Sequence, residues 1–537
     1  MPYGDEKHQL IYQGLVDILG KDNVADGPAT VRAYARDMFA LSTMRRKRPP
    51  EFIVLPGDTE DIRQIILLAN RYKFPYSVMS TGWMFPMLGA VKPYWCIIDF
   101  KRMTRIEFDE KNMYAVVEPY ISHAQLNAES IKRGLYNGAP SVGGQFSTLA
   151  NHSWHGWHAT AFRTGFSTRN ILGMEWVLPN GWVVRTGSLA QTGTHPFWAE
   201  GPGPDLKNLR KGIVSDNGSM GVITRMAIKL YPWPGPKYLP TEGVGPGKKC
   251  ELPRDKFRWF FFEFADQPSM INAMYEIGKA EISFMMQRYP AQVLAWEYSK
   301  SREEYWSLFE PGSWVDHCLN MLAVCLWAHA SKKQLDYEEK VLKQIMSETG
   351  GKPVPDEVYN RIVPVLANTM TRPAFGPRWC RIGGSMQTSF LQCDTLDHML
   401  SIQPDVWGIV HKYTPPYLEH YGDSAWILPF DFCHFGGSDT AIPHEKSDDV
   451  CKGVVKESMD TIALDIRTSR PSFSLSIAPA NFVGPNFANF HIPLSRIKRA
   501  IDPNNLSNPT RFIDIEMMDK ETAAKAAPPP SPAQSKQ

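Results

Sequence analysis

At 537 residues, with 43% apolar and 21% charged side chains, the chain is too long for a single compact core and implies two lobes of ordinary globular composition. A net charge of +2, with Arg45-Arg46-Lys47-Arg48 as its basic run, argues against a nucleic-acid footprint and for a solvated loop at that run. Eight cysteines without a C-x-x-C pair argue against a zinc ribbon, an iron–sulfur site or a disulfide framework. No stretch of ~18 apolar residues marks a membrane span, and the N-terminus lacks a secretory pattern, so a cytoplasmic location is expected.

In chain order, Phe52 to Pro56 reads as a short apolar strand, and Asp58 offers an N-cap to the helix that follows. Ile62, Ile65, Ile66 and Ala69 recur at helical spacing, and Tyr76 to Ser80 reads as a second strand. The three make a β-α-β unit, for which a parallel, right-handed crossover is expected. Trp95 to Phe100 and Met113 to Glu118 are further strands. Gly173 to Gly187 is a hairpin with Asn180-Gly181 at its turn. Met220 to Tyr231 closes this half, and the Pro/Gly-rich stretch from Pro232 to Pro253 marks a lobe boundary. Beyond it helices such as Lys332 to Thr349 mix with strands such as Trp426 to Phe432. Residues 521–537 are rich in Ala, Pro, Ser and Lys and read as a disordered tail.

Five segments then stand in one order: Ser141-Val-Gly-Gly-Gln-Phe146, Gly173-Met-Glu-Trp-Val-Leu-Pro-Asn-Gly181, Gly218-Ser-Met-Gly-Val-Ile-Thr224, Ile497 to Asn505, and Asn508-Pro-Thr-Arg511. In order and spacing they resemble the vanillyl-alcohol oxidase/p-cresol methylhydroxylase flavoproteins. The resemblance covers residues ~20–235 and ~490–515 well and the middle thinly. It implies an α+β, two-lobe fold of the PCMH type: an FAD-binding lobe over 1–235, a substrate or cap domain over 236–490, and a C-terminal return over 491–520. FAD is the implied cofactor. Adjacent glycines such as Gly143 and Gly144 let backbone approach a flat ring without a Cβ between. Gly221, Val222 and Ile223 would offer main-chain groups to the adenine end, Ser80, Thr81, Gly82 and Gly89 would cradle phosphates, and Arg511 closes the set. The phosphate loop departs from the family, because Pro86 brings no N–H and Met87 and Leu88 replace small or polar residues. A flavin-less subunit that keeps the fold for assembly is therefore the alternative reading.

Where relatives hold a phenolate with tyrosines and an arginine, this chain has His123, Ile466 and Arg467, and a family aspartate falls at Phe166 with Arg163 and Arg169 nearby. Arg467 could bind an oxyanion bidentately, or lie in a surface ion pair. His123 could accept a proton, or be a satisfied interior histidine. His434, beside Gly436 and Gly437, could be a base, a substrate ligand or a covalent flavin anchor, or merely strand packing. His152, His155 and His158 recur by threes; nearby carboxylates are absent, so pocket lining or aromatic packing is expected and no metal. The expectation is an FAD-dependent dehydrogenase or oxidase transferring hydride from an alcohol, hydroxy acid or benzylic carbon to the flavin. The 16 Trp and the resemblance favour an aromatic substrate. A small-molecule substrate, a redox partner protein, and a homodimer or a larger complex are the expected partners; nucleic acid is not.

Overall fold

The computed structural model describes residues 4–34, 49–82, 92–138, 143–154, 156–190, 205–212, 216–243, 249–371, 383–414, 425–445, 447–468, 484–509 and 513–518. The basic run at 45–48, His155 and the tail lie outside them.

Two sheets build the N-terminal lobe. The first has four strands: β1 (Val24–Ala25), β2 (Phe52–Val54), β3 (Tyr76–Met79) and β4 (Cys96–Asp99), in the order β1-β2-β4-β3. The expected crossover is present, with β2 and β3 parallel to β4 and joined by the helix Thr59–Tyr72. Asp58 caps that helix by accepting from Asp61 N at 2.9 Å, and Ile62, Ile65, Ile66 and Ala69 are its buried stripe. One detail differs from the sequence reading: β4 inserts between β2 and β3, so the crossover skips a position. β4 can fill that slot because all four of its residues, Cys96-Ile-Ile-Asp99, are buried.

The second sheet is antiparallel: β5 (Ile106–Asp109), β6 (Tyr114–Val117), β8 (Ile171–Val177), β9 (Val183–Arg185) and β10 (Val222–Lys229), ordered β5-β6-β10-β8-β9. The Asn180-Gly181 turn joins β8 to β9 as expected, with Gly181 at φ +86°. The short pair β7 (Leu135–Tyr136) and β11 (Tyr231–Pro232) and the hairpin β12 (Thr241–Glu242) and β13 (Lys249–Cys250) lead into the cap.

A seven-stranded antiparallel sheet forms the cap: β14 (Phe257–Glu263), β15 (Met285–Arg288), β16 (Met321–Trp327), β17 (Lys352–Pro353), β18 (Gly384–Asp394), β19 (Ala425–Phe430) and β20 (Phe435–Glu445). Their order is β17-β14-β16-β15-β19-β20-β18. Strand alternation gives the sheet two chemically distinct faces. Ile427, Met286, Leu322 and Val324 turn to helices including Gln267–Lys279 and Lys332–Thr349. Trp426, Leu428, Phe430, Met285 and Trp327 turn to Trp157 and Phe166 of the N-terminal lobe. The second face therefore looks onto the segment that follows the glycine-rich turn at 143–146.

The chain returns to its first sheet at the end. Ser507 makes a parallel bridge with Tyr76, and the helix His491–Ile501 carries Lys498 into the seam. Lys498 is fully buried and donates to Ser219 O (2.6 Å), Asp502 Oδ2 (2.8 Å) and Ser507 O (3.0 Å). All three ammonium protons are thus used, which is the condition for burying that charge. Lys498→Ala leaves Asp502 buried without its cation and is expected to cost about 3–5 kcal/mol of stability, read from urea unfolding. A loss under 1 kcal/mol would show that the seam does not depend on this pair.

Candidate active site

A cleft opens between the two sheets of the N-terminal lobe. Ser80, Thr81 and Gly82 at the end of β3 form one wall, Phe146 to Trp154 a second, and Gly218 with Gly221, Val222 and Ile223 a third. Six of the ten expected cofactor residues (Ser80, Thr81, Gly82, Gly221, Val222 and Ile223) line this one cleft. Gly143 and Gly144 lie in the turn that delivers Phe146 to it, closed by Phe146 N donating to Gly143 O at 2.8 Å. Gly89 and Arg511 lie outside the described residues.

The glycines are there for close approach. At Gly221, φ is +103° and a Cβ would fall 2.3 Å from the Val177 carbonyl oxygen. At Gly143 a Cβ would lie 2.5 Å from the Phe146 ring. Serines and main chain stitch the walls: Ser147 N donates to Thr81 Oγ1 (3.1 Å), and Ser507 Oγ accepts from Gly221 N (3.0 Å) and donates to Gly218 O (2.8 Å). The result is a cradle of backbone and small polar groups, which suits a flat, phosphate-bearing ligand.

Arg210 and Asp216 also line the cleft, and no motif in the sequence marked them. Arg210 pairs with Asp216 (3.1 Å), donates to Gly221 O (3.1 Å) and stacks on Trp176, 4.7 Å from its centroid. A guanidinium held by three partners fixes the Gly218–Gly221 wall. Its sequence signature is a lone arginine in a loop, which carries no signal.

The candidate acid–base residues separate. His123 is fully buried one layer behind the cleft, at the start of the helix His123–Lys132. Its ring nitrogens meet Asn137 Oδ1 (3.2 Å) and Asn151 Oδ1 (2.9 Å), and only Asn151 reaches the cleft. A neutral imidazole carries one N–H, so one of the two amides turns its NH2 towards the ring. His152 stacks on His123 at 5.5 Å and donates from Nδ1 to Thr148 O, and His158 meets Thr160 Oγ1 at 2.9 Å. Burial pushes His123 down to about 4 and His158 to about 3, and lowers His152 strongly, with the neighbouring histidine charge adding to it. The cluster is thus neutral packing behind the cleft wall. Among the described residues no group of histidine, cysteine or carboxylate side chains could hold a metal.

His434 is exposed on the turn between β19 and β20, with Nδ1 donating to Asp431 O. Arg467 is exposed in the last turn of the helix Asp448–Thr468. Neither lines the described cleft. Phe166 packs on Phe430 (5.4 Å) and Phe435 (6.0 Å). Arg163 donates to Ser283 O (3.0 Å) and Arg169 pairs with Asp431, so both arginines tie the cap to the first lobe.

The cleft, the two small sheets and the aromatic-faced cap define a flavin-binding protein of two lobes. Residues 50–187 match the family described as FAD binding domain. The chain carries a PCMH-type FAD-binding domain, and FAD is its cofactor. It is 24% identical over 538 residues to the 4-cresol dehydrogenase [hydroxylating] flavoprotein subunit of Pseudomonas putida, covering 92% of this chain and 93% of that one. It is 29% identical over 226 residues to an uncharacterized FAD-linked oxidoreductase of Mycobacterium tuberculosis; that match spans 40% of this chain and 44% of the relative, so less than half its length. The crystal structure of p-cresol methylhydroxylase with substrate bound superposes with a TM-score of 0.75 at 18% identity, over 96% of this chain and 98% of that one. Among the described residues no helix is long and apolar enough to cross a membrane.

The buried histidines set an acid limit. Each binds a proton in the unfolded chain near pH 6.5 but resists it when folded, so stability is complete above that pH and declines as pH falls towards the folded values of about 4 and about 3. Each contributes about 1.4 kcal/mol per pH unit within its window. Melting temperatures measured from pH 7 to 4 are expected to fall steeply, and less steeply in His123→Gln. Superimposable profiles would show that His123 is not the group being titrated.

Proposed function

We propose that the chain is an FAD-dependent oxidoreductase that oxidises a small organic substrate bound between the cleft and the cap sheet, with aromatic substrates favoured. The observation that carries this reading is the convergence of Ser80–Gly82, Phe146–Trp154 and Gly218–Ile223 on one glycine-walled cleft inside the matched FAD-binding domain. When bound, FAD supplies a two-electron acceptor. The protein's part is to hold and shield. Thr81 and Ser147 fix the phosphate side, while Gly221 to Ile223, braced by Ser507 and Arg210, fix the adenine side. Trp154, at the end of the cleft, packs against the aromatic cluster that runs on through Trp157 to Phe430 and Trp426, so cofactor and cap face share one water-poor space. Asn151, held by His123, presents its amide to the cleft. The favoured aromatic substrate follows from that lining and from the named substrates of the phenol-oxidising relatives.

Reconstitution tests the reading. Purified protein mixed with excess FAD is expected to turn yellow, and its folded state should gain about 2.7 kcal/mol at a hundredfold excess over the dissociation constant. Gly221→Val, which forces a branched side chain against the Val177 carbonyl, is expected to lose flavin retention. A colourless protein whose melting temperature ignores FAD would favour the flavin-less subunit instead. For turnover, anaerobic bleaching of the flavin by 4-methylphenol or benzyl alcohol is the expected result, and no bleaching by any alcohol, hydroxy acid or alkylphenol would sink the oxidoreductase assignment.

A further inference from the structure

One contact between the lobes depends on the protonation state of a single imidazole. Arg163, on the short helix Ala161–Thr164 of the first lobe, reaches across the boundary into the cap. Its Nη1 donates to Ser283 O at 3.0 Å, and its Nη2 lies 3.1 Å from His329 Nε2. A guanidinium has donors only, so the imidazole must offer a lone pair at Nε2. The other ring nitrogen fits that requirement: Nδ1 lies 3.1 Å from Trp327 O, a carbonyl that can only accept. His329 is therefore neutral, with its proton on Nδ1, and its tautomer is set from both sides.

Few charged groups among the described residues face this contact. The first lobe brings Arg163 itself, the helix Lys332–Thr349 brings Glu338, and the loop before β15 brings Glu281. Glu338 is buried and already accepts from Ser283 N at 3.0 Å and from Gln334. Phe284 contributes an uncharged ring 6.4 Å from the imidazole, and Phe432 lies against the guanidinium at 5.7 Å. Burial, then the Arg163 charge, holds His329 below the ordinary histidine value, with Glu338 and the Trp327 carbonyl opposing them. A proton on Nε2 would replace the acceptor by a donor and set two cations 3.1 Å apart. The hydrogen bond does not survive that change. Other ties across the boundary do not use this imidazole, since Arg169 pairs with Asp431 and Phe432 N donates to Phe162 O.

We propose that Arg163 and His329 form a pH-operated latch between the lobes, closed while the imidazole is neutral and released when it takes a proton. Release frees the helix Ala161–Thr164 from the edge of the cap at Ser283 and His329, and withdraws the cation from the Phe432 ring. The folded state favours the neutral imidazole, so the latch contributes fully above about 6.5 and is lost as pH falls below it. Because Arg169 and the aromatic contacts stay in place, the loosening is local to this edge. The latch belongs to the lobe boundary and stands apart from the oxidoreductase reading.

Hydrogen exchange of the FAD-saturated protein, read by mass spectrometry from pH 7 to 5 and corrected for the intrinsic rate, is the experiment. Peptides covering 161–164, 281–284 and 431–433 are expected to lose protection by roughly tenfold as pH falls below about 6.5. Peptides covering β4 should keep theirs, which separates release of the latch from unfolding of the lobe. His329→Gln offers Arg163 a carbonyl oxygen that does not titrate, and is expected to hold the three segments level across the series. Arg163→Met is expected to leave them poorly protected at every pH. Level protection in the wild type, or a loss that β4 shares equally, would overturn the proposal. So would a pH dependence that persists in His329→Gln, which would assign the change to another group such as His434 on the cap turn. If His329→Gln has already lost the β4 protection at pH 7, Arg163→Met decides, and a pH step remaining in that variant overturns the latch.

Discussion

The architecture depends on one buried charge. Lys498 sits where the C-terminal return meets both sheets of the first lobe, and its ammonium joins two stretches of chain far apart in sequence: Ser219 before β10, and the return itself at Asp502 and at Ser507 on the bridge to Tyr76. Asp502 in turn accepts from Leu506 N and Ser507 N, so the residues that brace Gly218 and Gly221 are held by the same ion pair. The Gly218–Gly221 wall of the cleft is thus built from the chain's end as much as from its first half. Hydrophobic packing makes the lobe, but this hydrogen-bonded cation sets the register in which its parts meet.

A division of labour follows between the two lobes. The first supplies glycines, serines and main-chain groups at short range, which bind by shape and by backbone polarity. The cap supplies large rings, which act by exclusion. Arg163 and Arg169 cross the boundary to Ser283 and Asp431, so the two chemistries are held face to face by charge at the rim and by Trp157, Phe166 and Phe430 inside.

Much of the fold was legible where its signals are local. The Asp58 cap, the Ile62–Ala69 stripe, the Asn180-Gly181 turn and the helix Lys332–Thr349 need only neighbours within one turn or hairpin. Strand order was not legible: β4 enters between β2 and β3 through long-range burial that no local pattern encodes. The cleft was found through its glycines, whose need is steric and leaves a mark in sequence. Arg210 was missed because an isolated charge reads as surface until the fold shows what covers it. His123 and His434 illustrate the opposite error of emphasis, since each has the right chemistry, yet one is walled off by two asparagines and the other faces solvent.

The turn between β19 and β20 places Asp431, Phe432 and Cys433 in succession at φ +46°, +54° and +70°, a conformation that costs non-glycine residues of order 1 kcal/mol each. It persists because Asp431 N and Phe432 N donate to Ala161 O and Phe162 O of the first lobe, while the Phe432 ring packs edge-on against Phe162. The strained hairpin and its support thus belong to different lobes. A cap grafted onto another flavoprotein to change its selectivity would lose that support unless residues 161–162 travelled with it. For this fold, the smallest portable unit of specificity is a pair of segments, one from each lobe.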